Sequence, residues 1–325
     1  MLTIYHSKNM ETINSSSFFH YRREKQDFLK IIKNGFSYRY SFEPLGPEFA
    51  HSNQDEYIPL MNYMDKGKIV PNRDDYTGIA MPMLCFCDIP IMRAGKHRKN
   101  YGEYCIGVDK EMMIGRLKSY INPVFYVSSE DVKSAFEELV RLRRELSLTN
   151  EEKTKVRKVS EECKNIKELM DAFKDPSFKE ITYKNVRHTK LYLSLMHFMA
   201  LCKPYTGKNY KGEDVCFYDE REWRVFSYDF GPFKWVYDTT SEEFEKDRAA
   251  KNKQLEKTKV LQLLIQPDDI VNIISHIIVS KDDDVPEIIN EIMKSPKIFG
   301  HKLPKEKKQL LISKVTSFER IEKDC

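Results

Sequence analysis

The sequence predicts a single α+β domain that has a mixed, largely antiparallel central sheet and an inserted helical hairpin. Of the 325 residues, 41% are hydrophobic and 12% are aromatic, a composition typical of a globular protein with a sizeable core. Apolar segments of strand length occur in both halves of the chain, and a stretch of helical periodicity lies between them. Because no internal repeat or clear linker is present, we expect one domain over residues 1–325.

The N-terminal elements are predicted to be a strand, a helix and a second extended segment. The aromatic residues 18–21 (FFHY) indicate a strand, and residues 36–42 are expected to be extended. An apolar stripe with helical spacing lies between them, at Phe28, Leu29, Ile31 and Ile32. Gly35 is expected to end this helix, because glycine adopts the left-handed conformation without steric cost.

The next part of the chain is predicted to contain a long loop followed by strands. Residues 43–80 include several prolines, and a gap of this length is typical either of a functional lid or of a tolerated insertion. Strands are predicted at 81–91, 104–108 and 122–129. The basic cluster at 96–99 is expected to form a solvated turn, although it has the charge to attract phosphate groups.

Helical periodicity begins after residue 128 and predicts a hairpin of two amphipathic helices over 131–174. Thr149 and Glu152 have the spacing of a capping box and mark the start of the second helix. The hairpin is interpreted as an insertion that either braces the domain or contacts a partner. The following helix, at about 184–202, is apolar on nearly all sides and is expected to be buried.

The C-terminal part is predicted to return to strands, at 215–218, 222–228 and 233–237. Two apolar runs then flank Asp268 and Asp269, which are expected to cap a helical turn. A helix at 285–295 is predicted to precede a last strand at 309–318.

Composition excludes several classes of function. The formal net charge is +4, so a nucleic-acid footprint would have to be local. The seven cysteines contain no CxxC pair, which favours a reducing compartment and predicts neither a disulfide framework nor a metal site. No signal peptide or membrane-spanning run is present, so the sequence predicts a cytoplasmic protein. The motifs of P-loop nucleotidases, Rossmann oxidoreductases, zinc peptidases and α/β-hydrolases are absent.

The stretch 217–226 (FYDEREWRVF) carries the strongest candidate for chemistry. If it forms a strand, Trp223 and Val225 lie on one face while Glu222 and Arg224 lie on the other. A carboxylate fixed to a strand by a buried tryptophan has the rigidity that a catalytic or ligand-orienting group needs. The same charges are also typical of cross-strand pairs at a solvated sheet edge. Both interpretations remain open at the level of the sequence.

Two further groups of residues are candidates for a binding site. His20 lies on the first predicted strand together with Tyr21 and Arg22, and two tyrosines follow on the next extended segment, at Tyr38 and Tyr40. The second group combines cations with an aromatic ring that offers a stacking surface, at His97, Arg98 and Tyr101.

Seven segments, in order, resemble the bacterial AbiGi abortive phage infection family: FLKIIKNGF, CFCDIPI, HRKNYGEYCIGVDKE, NPVFYV, KPYTG, FYDEREWRV and QPDDIVNIISHIIVS. The resemblance runs from about residue 18 to about residue 280. Cys105 replaces a glycine that is usual in the family, and Arg22 stands where threonine is common. The family is described as the antitoxin half of a two-gene phage-defence system, so the resemblance implies a partner protein encoded nearby.

A weaker similarity to the ADP-ribosyltransferase fold implies a second set of roles and NAD as the cofactor. Under this interpretation the catalytic candidates are Glu222, His20 and Tyr40. The candidate cofactor-binding residues are Tyr21, Arg22, Tyr38, His97, Arg98 and Tyr101. Glu222 would stabilise the positive charge that develops on the ribose, and it is expected to share an enclosed pocket with His20.

Two functional hypotheses follow from these resemblances. The first is an effector that transfers ADP-ribose from NAD to nucleic acid or to a phage or host protein. The second is a non-catalytic defence protein that binds a toxin or senses a phage component, with the hairpin at 131–174 as its docking surface.

Overall fold

A computed structural model describes the chain over residues 15–44, 78–127, 148–163, 166–172, 174–208, 214–226, 237–239, 241–255 and 267–323, together with helical residues 138 and 142. Within these residues the strands are, in chain order, β1 (Ser17–Arg22), β2 (Arg39–Pro44), β3 (Gly78–Cys87), β4 (Tyr104–Asp109), β5 (Ile121–Pro123), β6 (Phe125–Val127), β7 (Cys202–Pro204), β8 (Thr206–Lys208), β9 (Asp214–Cys216), β10 (Glu222–Val225), β11 (Tyr237–Thr239), β12 (Ile274–Val279) and β13 (Val315–Ser317). The α-helices are α1 (Lys25–Asn34), α2 (Gly95–Tyr101), α3 (Lys110–Leu117), α4 (Asn150–Glu162), α5 (Ile166–Ala172), α6 (Lys179–Leu201), α7 (Ser241–Leu255), α8 (Ile270–Ile273), α9 (Val285–Lys294), α10 (Lys305–Ile312) and α11 (Phe318–Lys323).

The central sheet has the strand order β13-β12-β4-β1-β3-β10-β5, and β2 and β11 pair with the far half of β3. The pairs in this sheet are antiparallel except for β12 with β13. Two small sheets lie apart from it, β6 with β7 and β8 with β9. The prediction of an α+β fold with a largely antiparallel sheet is therefore confirmed.

The two faces of the sheet carry different residues. On one side, which we call the major face, Phe18 and Phe86 contact each other and Phe18 packs on Trp223 at 4.9 Å between ring centroids. Helices α1, α7 and α9 contribute apolar side chains to the core on this side. On the opposite side, the minor face, the paired residues Phe19, Cys87 and Glu222 form one row across β1, β3 and β10. Because side chains alternate along a strand, the register assigns every residue of these three strands to a face.

Several sequence predictions of local structure are confirmed. The strand β1 and the helix α1 form where expected, and the apolar stripe of α1 is buried. Gly35 ends the helix with φ of 86°. Thr149 and Glu152 form the capping box at the start of α4. In each case the signal is local, so the sequence alone carries it.

Other predictions are wrong, because tertiary contacts outweigh local pattern. The last predicted strand, 309–318, is divided among α10, β13 and α11. Helix α6 is not buried on all sides over residues 184–202, since Val186 is 46% exposed and Phe198 is 40% exposed. The basic cluster at 96–99 belongs to α2 and is not a turn.

Two further expectations concern less regular segments of the chain. Asp268 and Asp269 cap no helix through their side chains; instead they pair with Lys307 and Arg116. Most of the predicted loop 43–80 and most of the first arm of the hairpin, 131–148, lie outside the described residues.

We predict that Gly102→Ala destabilises the protein by at least about 2 kcal/mol, because Gly102 has φ of 113° and a Cβ there would lie 2.2 Å from the carbonyl oxygen of Arg22. Gly95→Ala is the matched control, since it adds a methyl group with nothing within 4 Å. Urea denaturation of both variants measures the difference. Equal stabilities would show that the close approach of α2 to the end of β1 is not a constraint.

Candidate functional site

The stretch 217–226 does not form one continuous strand. Residues Phe217–Glu220 form a 3₁₀ helix, Arg221 has a left-handed backbone with φ of 44°, and β10 begins at Glu222. The Arg221 carbonyl accepts a hydrogen bond from the backbone N–H of Asp88 at 3.0 Å, which fixes this bend against the end of β3. The bend brings the side chains of Glu220 and Glu222 to the same lysine.

Five side chains form a hydrogen-bonded polar cluster at the minor face: Tyr101, Lys203, Glu220, Glu222 and Arg224. Lys203 Nζ lies 2.5 Å from Glu220 Oε2 and 3.0 Å from Glu222 Oε2. Arg224 Nε donates to Glu222 Oε1 at 2.9 Å, and the Tyr101 hydroxyl donates to Glu220 Oε1 at 2.5 Å. Two cations therefore balance two carboxylates within one network.

The cluster is charged although it is buried. The Arg224 side chain is 1% exposed, and Lys203 and Glu222 are 14% and 11% exposed. Burial raises the pKa of Glu222, but Arg224 and Lys203 outweigh it and hold the pKa well below its ordinary value. Burial lowers the pKa of Lys203, but Glu222, Tyr101 and Glu220 raise it well above its ordinary value. Both groups of the Glu222–Lys203 pair are ionised at neutral pH.

Aromatic rings surround the cluster. His97 stacks on Tyr101 at 4.4 Å between centroids, and Tyr21 packs edge-on against His97. Burial lowers the pKa of His97 to about 4, with Lys203 adding to the decrease and Glu222 opposing it. The Tyr126 hydroxyl accepts a hydrogen bond from the backbone N–H of Glu222 at 2.8 Å. The cluster thus joins β10 to β6, β7 and α2.

Four more rings lie at the surface beside the cluster and form what we call the aromatic face: Phe125, Phe198, Tyr205 and Tyr218. They are between 40% and 50% exposed. Phe125 stacks on Phe198 at 6.0 Å, and Tyr205 stacks on Tyr218 at 5.5 Å. The two pairs mark the two ends of the β6–β7 ribbon, which Tyr126 and Lys203 attach to the polar cluster.

The sequence candidates divide between the two faces of the sheet. His20 lies on the major face, where its ring packs against Phe36 and Phe86 and its Nδ1 lies 2.7 Å from the Cys85 carbonyl oxygen. Glu222 lies on the minor face. The expectation that His20 and Glu222 share an enclosed pocket is therefore wrong. Phe19 and Glu222 both pair with Cys87 and lie on one face, and His20, the residue after Phe19, points to the opposite face because side chains alternate along a strand.

Tyr38 and Tyr40 are buried in the major core and do not approach Glu222. The backbone N–H of Tyr40 donates to Asn252 Oδ1 of α7 at 2.8 Å. Arg22 lies at the end of β1, on the His20 side by alternation. These residues do not form one site with Glu222.

Tyr21, His97, Arg98 and Tyr101 lie on the Glu222 side. Tyr21 is buried beside Phe318 and His97. The Arg98 guanidinium lies 3.9 Å from the centroid of the Phe318 ring and forms ion pairs with Glu103 and Glu322, so its charge is already compensated. Of the nine candidates, Tyr101 and His97 are those that the structure brings to the polar cluster around Glu222.

Sequence reasoning missed Lys203, Glu220 and Tyr126. Lys203 lies in the KPYTG segment, which contributes to the family resemblance but carries no local sign of an ion pair. Its distance from Glu222 along the chain hides the ion pair. Alternation along a continuous strand would place Glu220 on the side of Glu222, but its approach to the same lysine depends on the backbone bend at Arg221.

Among the described residues, no group of three or more His, Cys, Asp or Glu side chains is placed to hold a metal ion. Within the same residues, no helix has both the length and the apolar character needed to cross a membrane.

We predict that Glu222→Gln lowers the free energy of unfolding by about 3 kcal/mol, because it removes the carboxylate charge that pairs with the buried Arg224 guanidinium. The sequence alone predicts a small cost, and the burial of Arg224 reverses that expectation. The matched control is Glu245→Gln, whose carboxylate is 63% exposed and pairs with Arg248; it should cost less than about 0.5 kcal/mol. Similar small losses for both variants in urea denaturation would show that the cluster does not stabilise the fold.

We predict that stability falls as the pH drops from 6.5 towards about 4, the range between the ordinary pKa of His97 and its lowered pKa. Burial also lowers the pKa of His20. In this range the unfolded chain binds protons that the folded chain does not, so the free energy of unfolding decreases with falling pH. Glu222, whose pKa is far lower, loses its contribution only at more acidic pH.

The measurement is urea denaturation at several pH values, with His97→Phe as the test variant because it keeps an aromatic ring but cannot be protonated. The variant should show a shallower decrease than the parent chain. An unchanged pH dependence in the variant would contradict the assignment to His97.

Comparison with known proteins identifies the family. The family model described as "Putative abortive phage resistance protein AbiGi, antitoxin" matches residues 56–276, which is more than half of the chain. The chain is also 26% identical over 261 residues to the abortive phage resistance protein AbiGi of Lactococcus lactis subsp. cremoris, covering 75% of this chain and 88% of that protein. No solved structure matches the chain. The chain belongs to the AbiGi abortive phage resistance family.

Proposed function

We propose that this chain is the antitoxin of an anti-phage abortive-infection system, and that it restrains a partner toxin by binding it without catalysing a reaction. Membership of a family whose description names an antitoxin supports this role. The structural observation that supports this role is that the charges of the polar cluster neutralise each other beneath the exposed aromatic face.

The polar cluster favours a supporting role over a catalytic one. Both carboxylates are held by Lys203, and Arg224 and Tyr101 occupy further oxygen atoms. A catalytic carboxylate has to give up its present partners to interact with a substrate. In this cluster, that change would leave a buried cation without a compensating charge. The cluster instead fixes β7 and the 3₁₀ helix at Phe217–Glu220 against the sheet.

The aromatic face is the contact surface that we assign to the toxin. Tyrosine and phenylalanine are enriched at protein interfaces, because rigid rings bury a large area at a small cost in side-chain entropy. Tyr205 and Tyr218 stack on each other and Tyr218 packs edge-on against Tyr126, whose hydroxyl bonds to the Glu222 N–H. Through Tyr126, these two exposed rings are linked to the buried charges of the polar cluster. The hairpin at 131–174 remains a second proposed contact surface.

ADP-ribosyl transfer is the second candidate, and the fixed ionised carboxylate of Glu222 favours it. In that role Glu222 would stabilise positive charge on the ribose, beside the stacked rings of His97 and Tyr101. The full set of candidate residues does not fit one NAD molecule, since His20, Tyr38 and Tyr40 lie on the major face. Any NAD site would be limited to the residues on the Glu222 side.

We predict that co-expression of this chain rescues cells from the toxicity of the neighbouring gene product, and that the double substitution Tyr205→Ser and Tyr218→Ser abolishes rescue. These rings are surface anchors, so the variant should fold but lose at least about tenfold in affinity for the toxin, measured by calorimetry. Tyr183→Ser is the matched control, because Tyr183 is 61% exposed near the other end of α6.

Three results would contradict the proposal. Retained rescue by the double variant would exclude the aromatic face as the contact surface. Growth arrest by this chain expressed alone would exclude an antitoxin role. Transfer of label from NAD to RNA, DNA or cell extract by the purified chain, reduced in Tyr101→Phe, would favour the second candidate.

A further inference from the structure

A strongly basic segment connects α9 to α10. Residues 294–308 (KSPKIFGHKLPKEKK) contain six lysines and one glutamate, which gives a net charge of +5. The formal net charge of the whole chain is +4, so the rest of the chain is close to neutral. With this balance, any nucleic-acid footprint has to be local, and the segment provides a local concentration of positive charge.

A tight turn in this segment is anchored in the protein core. Ile298 and His301 form an antiparallel bridge, with reciprocal backbone hydrogen bonds of 2.8 and 3.0 Å. Phe299 and Gly300 between them have φ of 48° and 85°, as in a type I′ turn. A phenylalanine with positive φ is strained, so its surroundings have to hold it in place. The buried Phe299 ring does so, together with the hydrogen bond from the Gly300 N–H to the Lys33 carbonyl at 2.8 Å.

Two lysines face each other across this turn. Lys297 and Lys302 stand next to the bridged residues on the two arms, so they occupy opposite positions in the antiparallel pair. Both are exposed, and neither forms an ion pair with a described residue. Like charges that lie directly opposite each other destabilise an antiparallel pair. A bound anion would remove this repulsion.

The basic surface extends from the turn to both helices. Lys294 ends α9 and Lys305 begins α10, and both are exposed. Lys308 Nζ donates to the carbonyl oxygens of Met293 and Ser295 at 3.0 and 2.7 Å, which holds α10 beside the end of α9. We call the four exposed residues the lysine patch: Lys294, Lys297, Lys302 and Lys305.

Nearby acidic groups leave the lysine patch in excess. Lys294 acts on the charge of Glu291, but that carboxylate already pairs with Lys33 at 2.9 Å and accepts a hydrogen bond from Ser295 Oγ at 2.6 Å. Glu306 is the one acidic residue of the segment itself. Four exposed ammonium groups therefore share a single exposed carboxylate within residues 294–308.

The composition of this surface favours nucleic acid over a protein or a membrane. Lysine is depleted in the centres of protein interfaces, where aromatic residues are enriched. A membrane-binding surface combines cations with exposed apolar side chains that enter the lipid. Within residues 294–308, which the structure describes in full, no large apolar side chain is exposed. Lysines without apolar anchors are typical of contacts to phosphate groups.

We propose that the lysine patch binds the sugar-phosphate backbone of double-stranded nucleic acid, independently of its sequence. The ammonium groups contact phosphates of the duplex, and these contacts compensate the facing charges of Lys297 and Lys302. The patch contains no aromatic ring that could stack on unpaired bases, which favours a duplex over a single strand. This surface does not include the aromatic face and does not depend on the proposed antitoxin function.

Fluorescence anisotropy of a labelled DNA duplex of arbitrary sequence, titrated with the full chain at several salt concentrations, tests the proposal. We expect binding at about 50 mM salt and a steep loss of affinity as the salt concentration rises, because bound lysines release counterions from the duplex. The double substitution Lys297→Gln and Lys302→Gln should weaken binding at least about tenfold. It should also reduce the slope of log affinity against log salt by about 2.

Two further variants control for charge and folding. Lys96→Gln with Lys99→Gln removes the same charge from exposed positions on α2 and should leave the slope unchanged. Lys297→Arg with Lys302→Arg keeps the charge and should retain binding. In urea denaturation the Lys297 and Lys302 glutamine variant should be at least as stable as the parent chain, because it removes a like-charge contact.

Duplex RNA, single-stranded DNA and vesicles of phosphatidylglycerol are the competing probes. Tighter binding of either duplex than of the single strand supports the proposal and identifies the duplex. Absence of duplex binding at about 50 mM salt would overturn it, and so would an equal loss of affinity in the Lys96 and Lys99 variant. Tighter binding to the vesicles would assign the patch to a membrane surface instead. Retained duplex binding by the Lys297 and Lys302 glutamine variant, with lost affinity for the toxin, would assign it to a protein contact.

Discussion

The buried ion pair between Arg224 and Glu222 is the interaction on which the organisation of the minor face depends. Arg224 is almost fully buried, and a buried guanidinium is tolerated only with a compensating charge and satisfied donors. Glu222 supplies the charge, and the Ala200 carbonyl accepts from Nη1 at 2.5 Å. Lys203 and Glu220 then extend the network to β7 and to the 3₁₀ helix at Phe217–Glu220. Segments that are far apart in the chain are held together by one set of balanced charges.

The alternation of side chains across the sheet is the second constraint, and it separates two kinds of chemistry. On the minor face the charges neutralise each other and support exposed aromatic rings. On the major face, the buried Nε2 of His20 lacks a hydrogen-bond partner among the described residues. The first arrangement is typical of a structural base under an interface. A single strand, β1, contributes Tyr21 to one face and His20 to the other.

This separation also bears on the relation to ADP-ribosyltransferases. A site that used His20 and Glu222 together would need both groups on one side of the sheet. Strand alternation and the pairing of both β1 and β10 with Cys87 exclude that arrangement. The AbiGi family assignment does not depend on this point, because it rests on similarity along the chain.

The sequence by itself determined the elements whose signals are local. The strand at β1, the apolar stripe of α1, the glycine that ends it and the capping box of α4 could all be read from residues a few positions apart. It also determined the alternation of Trp223 with Glu222 and Arg224, since that depends only on strand geometry. The tertiary structure alone decided which strands pair, and therefore which face each candidate occupies. It alone brought Lys203 to Glu222, because long-range contacts follow from packing and leave no periodic signal in the chain.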